Sequence, residues 1–328
     1  MDRAQRDQRL IGVETNTVMM SVPSVASVTV SHNAQAILPR QMSALLRQSR
    51  PLQEIIVVDN HSSDRTCEML GEKYPHVTRL RLPSNLGVGG GYAAGLEYAA
   101  REKGHDWVWL LDDDSVPGDD GLENLLKALD FPECAGGDMG VLAPVPVEPG
   151  SQLACPGLLW RNGWIEPAFD VSQQAVLLVD AVISSGSLIG REVVEKVGLP
   201  RADFFMDFVD YEYCLRIRSH GYKIAMVAGS LLNHTVGNVR TVKFLWHSRT
   251  RVDNAPWREY YLSRNQTFTI WNHYPDWQNK FFIIRCLLRH AAGIVAFGKE
   301  KRACLGMILT GFMDGRAGKL GIRYQPND

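Results

Sequence analysis

The chain has 328 residues, 45% hydrophobic and 22% charged, with a net charge of −1. That balance argues against a disordered chain and against a polytopic membrane protein, and the length is sufficient to bury a full core. Six cysteines without a Cys-x-x-Cys pair argue against a zinc ribbon or a disulfide framework.

The near-neutral total hides an asymmetry. Residues 235–328 carry 15 Lys and Arg against six Asp and Glu, which leaves +9 there and −10 before it. A basic C-terminal region suits an anionic lipid surface or a phosphate-bearing substrate, and the plain alternative is a solvated basic face. No nucleic-acid partner is expected.

Residues 1–22 are polar and charged without an apolar segment, so a flexible start, no secretory signal and a cytoplasmic location are expected. Residues 25–31 read as a first strand and 34–49 as a helix. The run Glu54-Ile-Ile-Val-Val-Asp59 suits a parallel strand covered on both faces. A helix over 64–73, a strand near 78–82, a glycine-rich stretch, a helix over 92–103 and a strand over 107–111 follow. Strands alternating with helices predict βαβ units and a parallel sheet, whose ligands bind beyond the carboxyl ends of the strands.

From 131 to 178 the periodicity gives way to Gly, Pro and Trp, which predicts loops and short antiparallel strands. Regular patterning returns over 179–187, then helices over 191–197 and 210–219, and a strand over 223–227 leading to Asn233-His234. Beyond Trp257 the chain reads as helical. Residues 281–297 are apolar but interrupted by Arg285, Arg289 and His290, and they are shorter than the roughly 20 residues needed to cross a bilayer. Packing on the rest of the chain or amphipathic docking on a membrane are the two readings left.

The residues that carry chemistry fall at the predicted strand ends. His32 and Asn33 follow the first strand, and Asp59-Asn60-His61-Ser62-Ser63-Asp64 follows the second. That second cluster can hydrogen-bond a base and ribose, or it can simply cap a helix. Asn85-Leu-Gly87-Val-Gly89-Gly90-Gly91 offers backbone that a ligand could approach, or a plain turn. Gly89-x-Gly91-x-x-Ala94 is a loose match to a dinucleotide fingerprint, in the third βα unit rather than the first. Asp112-Asp113-Asp114 follows the fourth strand. Asp112 and Asp114, two apart at a strand end, can reach one divalent ion, and their oxygens favour Mg2+ or Mn2+. Trp160, Trp164 and Trp257 could stack on sugars or fill a core.

In this order, Val57-Val58-Asp59-Asn60-x-Ser62-x-Asp64, Asn85-Leu86-Gly87-x-Gly89-Gly90 and Trp109-Leu110-Leu111-Asp112-Asp113-Asp114 resemble the nucleotide-sugar domain of inverting family 2 glycosyltransferases. The stretch from Phe204 to Arg216, Phe-Phe-Met-Asp-Phe-Val-Asp-Tyr-Glu-Tyr-Cys-Leu-Arg, resembles that family's acceptor-side motif, particularly in bacterial rhamnosyltransferases and galactofuranosyltransferases. The resemblance spans residues 25–237. It implies an α/β GT-A fold: a Rossmann-like nucleotide-sugar half over 23–118, a mixed acceptor half over 119–240, and a helical basic region over 241–328.

The same resemblance implies roles. Asp210 would be the base, with Asp207 and Glu212 on the acceptor side, where the aromatic rings of Trp160 and Trp164 are also expected from their own stacking chemistry. Asp112, Asp114 and His234 would hold Mn2+ or Mg2+. His32, Asn33, Asp59, Asn60, Ser62, Asp64, Asn85, Gly87, Gly89, Gly90, Asp112 and Asp113 would face the nucleotide-sugar. Arg264, in Tyr260-Tyr261-Leu262-Ser263-Arg264-Asn265, would reach the donor phosphates. The implied activity moves rhamnose from a dTDP donor or galactofuranose from a UDP donor onto a glycan or lipid-linked glycan, at the inner face of the plasma membrane. Two other readings stand beside it, a non-catalytic sugar-nucleotide-binding scaffold and a nucleotide-dependent oxidoreductase.

Overall fold

The computed structural model describes residues 22–147, 157–161, 164–168, 175–234, 239–244, 247–252, 254–274 and 276–325. The expected flexible start at 1–22 lies outside these, Val22 apart.

The described chain begins with β1 (Val25–Ser31), α1 (Leu38–Leu46), β2 (Glu54–Asp59), α2 (Thr66–Lys73) and β3 (Thr78–Arg81). It continues through α3 (Gly87–Leu96), a π-helical turn (Glu97–Glu102), β4 (Trp107–Asp112), β5 (Val116–Pro117) and α4 (Gly121–Lys127). β2 is buried from Ile55 onward, as its continuous apolar run predicts for a strand covered on both faces, and β1 is buried at every position although Ser27, Thr29 and Ser31 alternate with its apolar residues. One layer of core sits between β1, β2, β4 and α3, through Val28, Ile56, Tyr92, Leu96 and Leu110. The other packs Leu38, Met42, Val57, Leu70 and Trp109 on the opposite face.

Next come β6 (Met139–Val147), the hairpin β7 (Gly157–Arg161) and β8 (Trp164–Ala168), β9 (Val176–Val179), β10 (Leu188–Gly190), α5 (Arg191–Lys196), α6 (Val209–Ser219) and β11 (Lys223–Asn233). The main sheet runs β3-β2-β1-β4-β10-β6-β11-β5, with β9 also on β11. β3, β2, β1 and β4 are parallel, and β10 lies antiparallel to both β4 and β6. The order 3-2-1-4 reverses direction at β1, so the crevice at the carboxyl ends of β1 and β4 is where a ligand site belongs. Val30 pairs with Asp112 and Ser31 with Asp59, which brings both acids to that crevice.

A hairpin of β12 (Val239–Phe244) and β13 (His247–Val252) precedes three helices, α7 (Pro256–His273), α8 (Trp277–Phe297) and α9 (Lys301–Arg316). α9 packs backbone to backbone on α7: a Cβ on Gly311 would stand 2.4 Å from the Tyr260 carbonyl oxygen, and one on Gly315 2.4 Å from that of Arg264. No described helix is long and apolar enough to cross a membrane.

Two expectations are corrected. The glycine-rich stretch is not a loop before a helix but the first turns of α3. The strand expected over 223–227 continues to Asn233, because β11 goes on to pair with the far end of β6 and with β5, and this carries His234 to the crevice.

Candidate active site

The acidic triplet sits where β4 ends, and it is held by groups that no local pattern announces. Gln41 of α1, fully buried, donates to the Asp112 carbonyl and, at 2.8 Å, to that of Ser115, while Thr29 fixes its amide oxygen at 2.8 Å. The Tyr92 hydroxyl, from α3, donates to Asp112 Oδ1 at 2.7 Å. Ser185 Oγ accepts from the Asp112 N–H at 3.1 Å. Behind the triplet, Ser115 Oγ meets Ser185 Oγ at 2.6 Å and His234 Nδ1 at 2.8 Å. Tyr92, Ser115 and Ser185 are therefore site residues missed in the sequence. Only the position of Ser115 beside the triplet was a signal.

His234 comes from the end of β11, with Nδ1 3.3 Å from Asp114 Oδ1. Among the described residues, Asp112, Asp114 and His234 bring one ligand atom each to within 4.8 Å of one another. Two hard carboxylate oxygens and an imidazole are a donor set that suits Mn2+ or Mg2+. The titration of the site has the same cause. Burial, with the charges of Asp112 and Asp114 added, pushes Asp113 up to about 6 even though the His32 N–H donates to it. Burial also raises Asp112, against the Tyr92 hydrogen bond. Burial works to lower His234, but the Asp114 hydrogen bond and the two carboxylate charges outweigh it, so its value is raised. Acids crowded this closely favour a cation between them.

The loops after β1 and β2 interlock. Asn33, at φ 52°, accepts at Oδ1 from the N–H groups of Ser63 and Asp64 at 2.8 and 3.2 Å, and its own N–H donates to Ser62 Oγ at 3.0 Å. His32 Nδ1 lies 3.0 Å from the Asn60 carbonyl oxygen. Asp59 lies beneath, its carboxylate 1% exposed, accepting from the Ser62 N–H and the Cys67 thiol, with Arg81 3.4 Å away. Asn33 and Asp64 are exposed and His32 and Asn85 partly so, whereas Asn60 and Ser62 are buried. Asn60 serves the chain itself: it donates to the Gly87 carbonyl at 3.0 Å and accepts from the Leu86 N–H at 2.8 Å.

The glycines are corrected in the same direction. A Cβ on Gly87, whose φ is +69°, would stand 2.1 Å from the Phe205 carbonyl oxygen, and one on Gly89 2.6 Å from that of Arg201. A Cβ on Gly90 would meet Leu86 at 2.4 Å. The close approach at Gly87 and Gly89 is made by the chain's own segment 201–205, and that at Gly90 by Leu86.

That segment leads to Asp210, in the first turn of α6. Burial, then the charges of Asp207 and Asp112, raise its carboxyl to about 7, against the Tyr211 N–H that donates to it. Asp207 lies on the same approach, engaged by Arg258 of α7 through Nε at 3.0 Å and Nη2 at 2.9 Å. Phe205, Asp207 and Phe208 have φ of 66°, 57° and 66°. Left-handed backbone at non-glycine residues costs ~1–3 kcal/mol each and concentrates at functional sites.

Two further assignments, those of Glu212 and Arg264, are corrected. Glu212 is fully buried and paired with Arg216 at 3.0 Å and His273 at 3.2 Å, so it braces α6 against α7 and does not face an acceptor. Trp160, only partly buried, stacks on Tyr274 with ring centroids 4.6 Å apart and meets Phe282 at its edge, and it lines a small pocket with Phe208 and Tyr211. Arg264 is fully buried, and its guanidinium donates to the carbonyls of Asp203, Phe204 and Gly321, so it is not available to donor phosphates. The side chain of Trp164 lies outside the described residues. A cavity of about 360 Å³ opens at the other end of β4, beside Trp107 and Arg191, and contains none of the clustered acids.

Residues 27–147 match the model of the glycosyl transferase family 2. The galactofuranosyltransferase GlfT1 of Mycolicibacterium smegmatis is 31% identical over 191 residues, 56% of this chain and 61% of that protein's length. The dTDP-rhamnosyl transferase RfbF of Shigella flexneri is 24% identical over 304 residues, 91% of this chain and 97% of that one. Among solved structures, S. aureus TarS 1-349 in complex with UDP superposes with a TM-score of 0.55 at 14% identity, covering 90% of this chain and 88% of that one. GalNAc-T7 with UDP, GalNAc and Mn2+ gives 0.61 at 14%, covering 90% and 56%. With the 3-2-1-4 parallel half and the mixed second half, the chain has the fold of these solved glycosyltransferases, and residues 27–147 carry the match to family 2.

Proposed function

We propose that this chain is an inverting hexosyltransferase of bacterial surface-polysaccharide synthesis, taking rhamnose from dTDP-rhamnose or galactofuranose from UDP-galactofuranose. The observation that carries this reading is the joint placement of Asp112, Asp114 and His234 at the end of β4 with the raised carboxyl of Asp210 at the start of α6. Asp112, Asp114 and His234 would hold Mn2+ or Mg2+, which when bound offsets the charge of a nucleoside diphosphate leaving group. Asp210 accepts the proton of the acceptor hydroxyl as that oxygen attacks the anomeric carbon, and attack opposite the leaving group inverts the centre. The interlocked loops that bear His32, Asn33 and Asp64, with Asp59 beneath them and Asn85 nearby, form the nucleoside end.

A scaffold that only bound nucleotide would have no use for a buried carboxyl with a value near 7. An oxidoreductase reading requires the run from Gly89 to Gly91 to receive a pyrophosphate, whereas the Arg201 carbonyl closes on Gly89 and Val30 on Gly91. The test is calorimetric titration with UDP and with dTDP, with Mn2+ and after chelation. One nucleotide is expected to bind in the presence of Mn2+ and to weaken by at least ~10-fold without it. If neither binds, the proposal is overturned.

The acceptor in this reading is lipid-linked, and the protein is peripheral at the inner face of the plasma membrane. Supporting this, Trp277, Phe281, Ile284, Leu288 and Val295 lie 38 to 73% exposed on α8, at spacings of four, three, four and seven residues. Spacings of this kind form one stripe along a helix. Exposed Arg289 lies on the same helix and Lys299, Lys301 and Arg302 follow it, a combination that attracts an anionic bilayer surface. The protein is expected to float with phosphatidylglycerol vesicles and to be released by salt. A Phe281→Ser, Leu288→Ser variant, changed only at exposed positions, is expected to stay in the soluble fraction. Wild-type protein that does not float removes the membrane from the reading.

A further inference from the structure

We propose that Arg264 and Asn265 of α7 are positioning residues for the transfer reaction: they hold the left-handed loop 205–208 that sets where α6 begins, and so where Asp210 stands. This rests on the transferase reading.

Three of the four loop residues, Phe205, Asp207 and Phe208, adopt positive φ without being glycine. Backbone of that kind persists only where its surroundings over-determine it. Here they do. Asn265 Nδ2 donates to the carbonyls of Phe204, Met206 and Asp207 at 3.0, 2.7 and 2.8 Å. Arg264 Nη2 donates to those of Asp203 and Phe204 at 3.1 and 2.9 Å. Arg264 Nε donates to Asn265 Oδ1 at 2.8 Å, which fixes the orientation of the amide so that its donors face the loop. Both side chains are fully buried.

The identity of these residues speaks to their purpose. Burying a guanidinium is costly, and an apolar side chain would fill the same space with less penalty. The acceptors that satisfy Arg264 and Asn265 are concentrated on 203–207, so what the pair secures is the path of that segment. From the other side, the Gly89 N–H donates to the Phe205 carbonyl at 3.1 Å, and Gly87 leaves room for it. The loop is thus held between α7 and α3, and the base is registered against the half that carries Asp112. Through this contact the C-terminal helices take part in the geometry of the reaction.

The test compares Asn265→Ala, Asn265→Asp and Arg264→Lys with the wild type. Asn265→Asp keeps the shape and the acceptor for Arg264 but loses both Nδ2 donors. Fold is followed by near-ultraviolet circular dichroism, and UDP and dTDP affinity by calorimetry with Mn2+. Turnover is followed as nucleotide released from dTDP-rhamnose or UDP-galactofuranose to water. Nucleotide affinity is expected within about threefold of wild type and turnover lowered by ~10²-fold, since small misplacement of a reacting group costs that much. The Asp variant is expected to fall as far as the Ala variant.

A folded variant whose turnover stays within threefold of wild type overturns the positioning role. So does a loss of nucleotide affinity equal to the loss of turnover, and so does a failure of all three variants to fold, which would make the pair structural. A wild type that neither binds nor releases nucleotide overturns the transferase reading, and this proposal with it.

Discussion

Asp210→Asn is expected to lower turnover by ~10³-fold or more while leaving nucleotide affinity within a few-fold of wild type, because the amide keeps the shape of the carboxylate but accepts no proton. As the proposed base, Asp210 works in its unprotonated form, and burial with the charges of Asp207 and Asp112 holds its value at about 7. Wild-type turnover should therefore climb as pH rises through that region and level off above it. A bound dication offsets the charge of Asp112, so the midpoint with metal lies below the midpoint without it. Turnover that is flat with pH, or near-native in the variant, would show that another group takes the proton.

The same substitution has an opposite effect on stability. Asp210 has its folded value raised above the ordinary 3.8. An acid shifted this way favours the folded state when protonated, and that contribution is lost as pH rises between the two values. Asn, which carries no charge at any pH, escapes the loss. The variant is expected to melt a few °C above wild type at pH 8, with the difference closing towards pH 4. Gain of stability with loss of turnover is the pattern of a group placed for reaction rather than for folding.

Asp114→Ala is the second large effect. Its side chain is 37% exposed, so its removal leaves the core intact, yet it takes one of three converging ligands from the site. Mn2+-dependent nucleotide binding should weaken by more than ~10²-fold, since loss of an outer-shell partner alone commonly costs 10- to 100-fold. His234→Ala should follow it, and chelation of the wild type should reproduce both. An Asp114→Ala protein that binds UDP or dTDP as well with Mn2+ as the wild type does would remove Asp114 from the metal site. Asp112 is a poorer probe, because Tyr92 and Ser185 are built around it and its loss would disturb them as well.

Much of the donor half is legible in the amino-acid sequence. A strand buried on both faces is largely apolar, so β2 and β4 announce themselves as short continuous runs, and the polar residues that end them mark the crevice. The tail beyond Trp257 is legible as helix, whereas the hairpin of β12 and β13 before it is not. What the sequence misleads on has one common cause. Glycine signals that something approaches the backbone closely, but not what approaches it. In α3 the visitor is Phe205 of the same chain, more than 100 positions away in sequence. Arg264 and Glu212 mislead similarly: a charged residue inside a motif suggests a ligand, while burial and the carbonyls or cations that satisfy it depend on α6, α7 and the segment 203–207 meeting in space.

The family resemblance, the parallel half of the sheet and the acids at its strand ends follow from the order of residues alone, because those features rest on local periodicity and on the succession of motifs along one chain. Packing had to settle the rest: that His234 reaches Asp114, that Tyr92, Gln41 and Ser185 hold Asp112, and that the C-terminal helices shape the loop before Asp210. Those are contacts between residues that are distant along the chain, and their physical cause, burial with every polar group satisfied, exists only after the elements have come together.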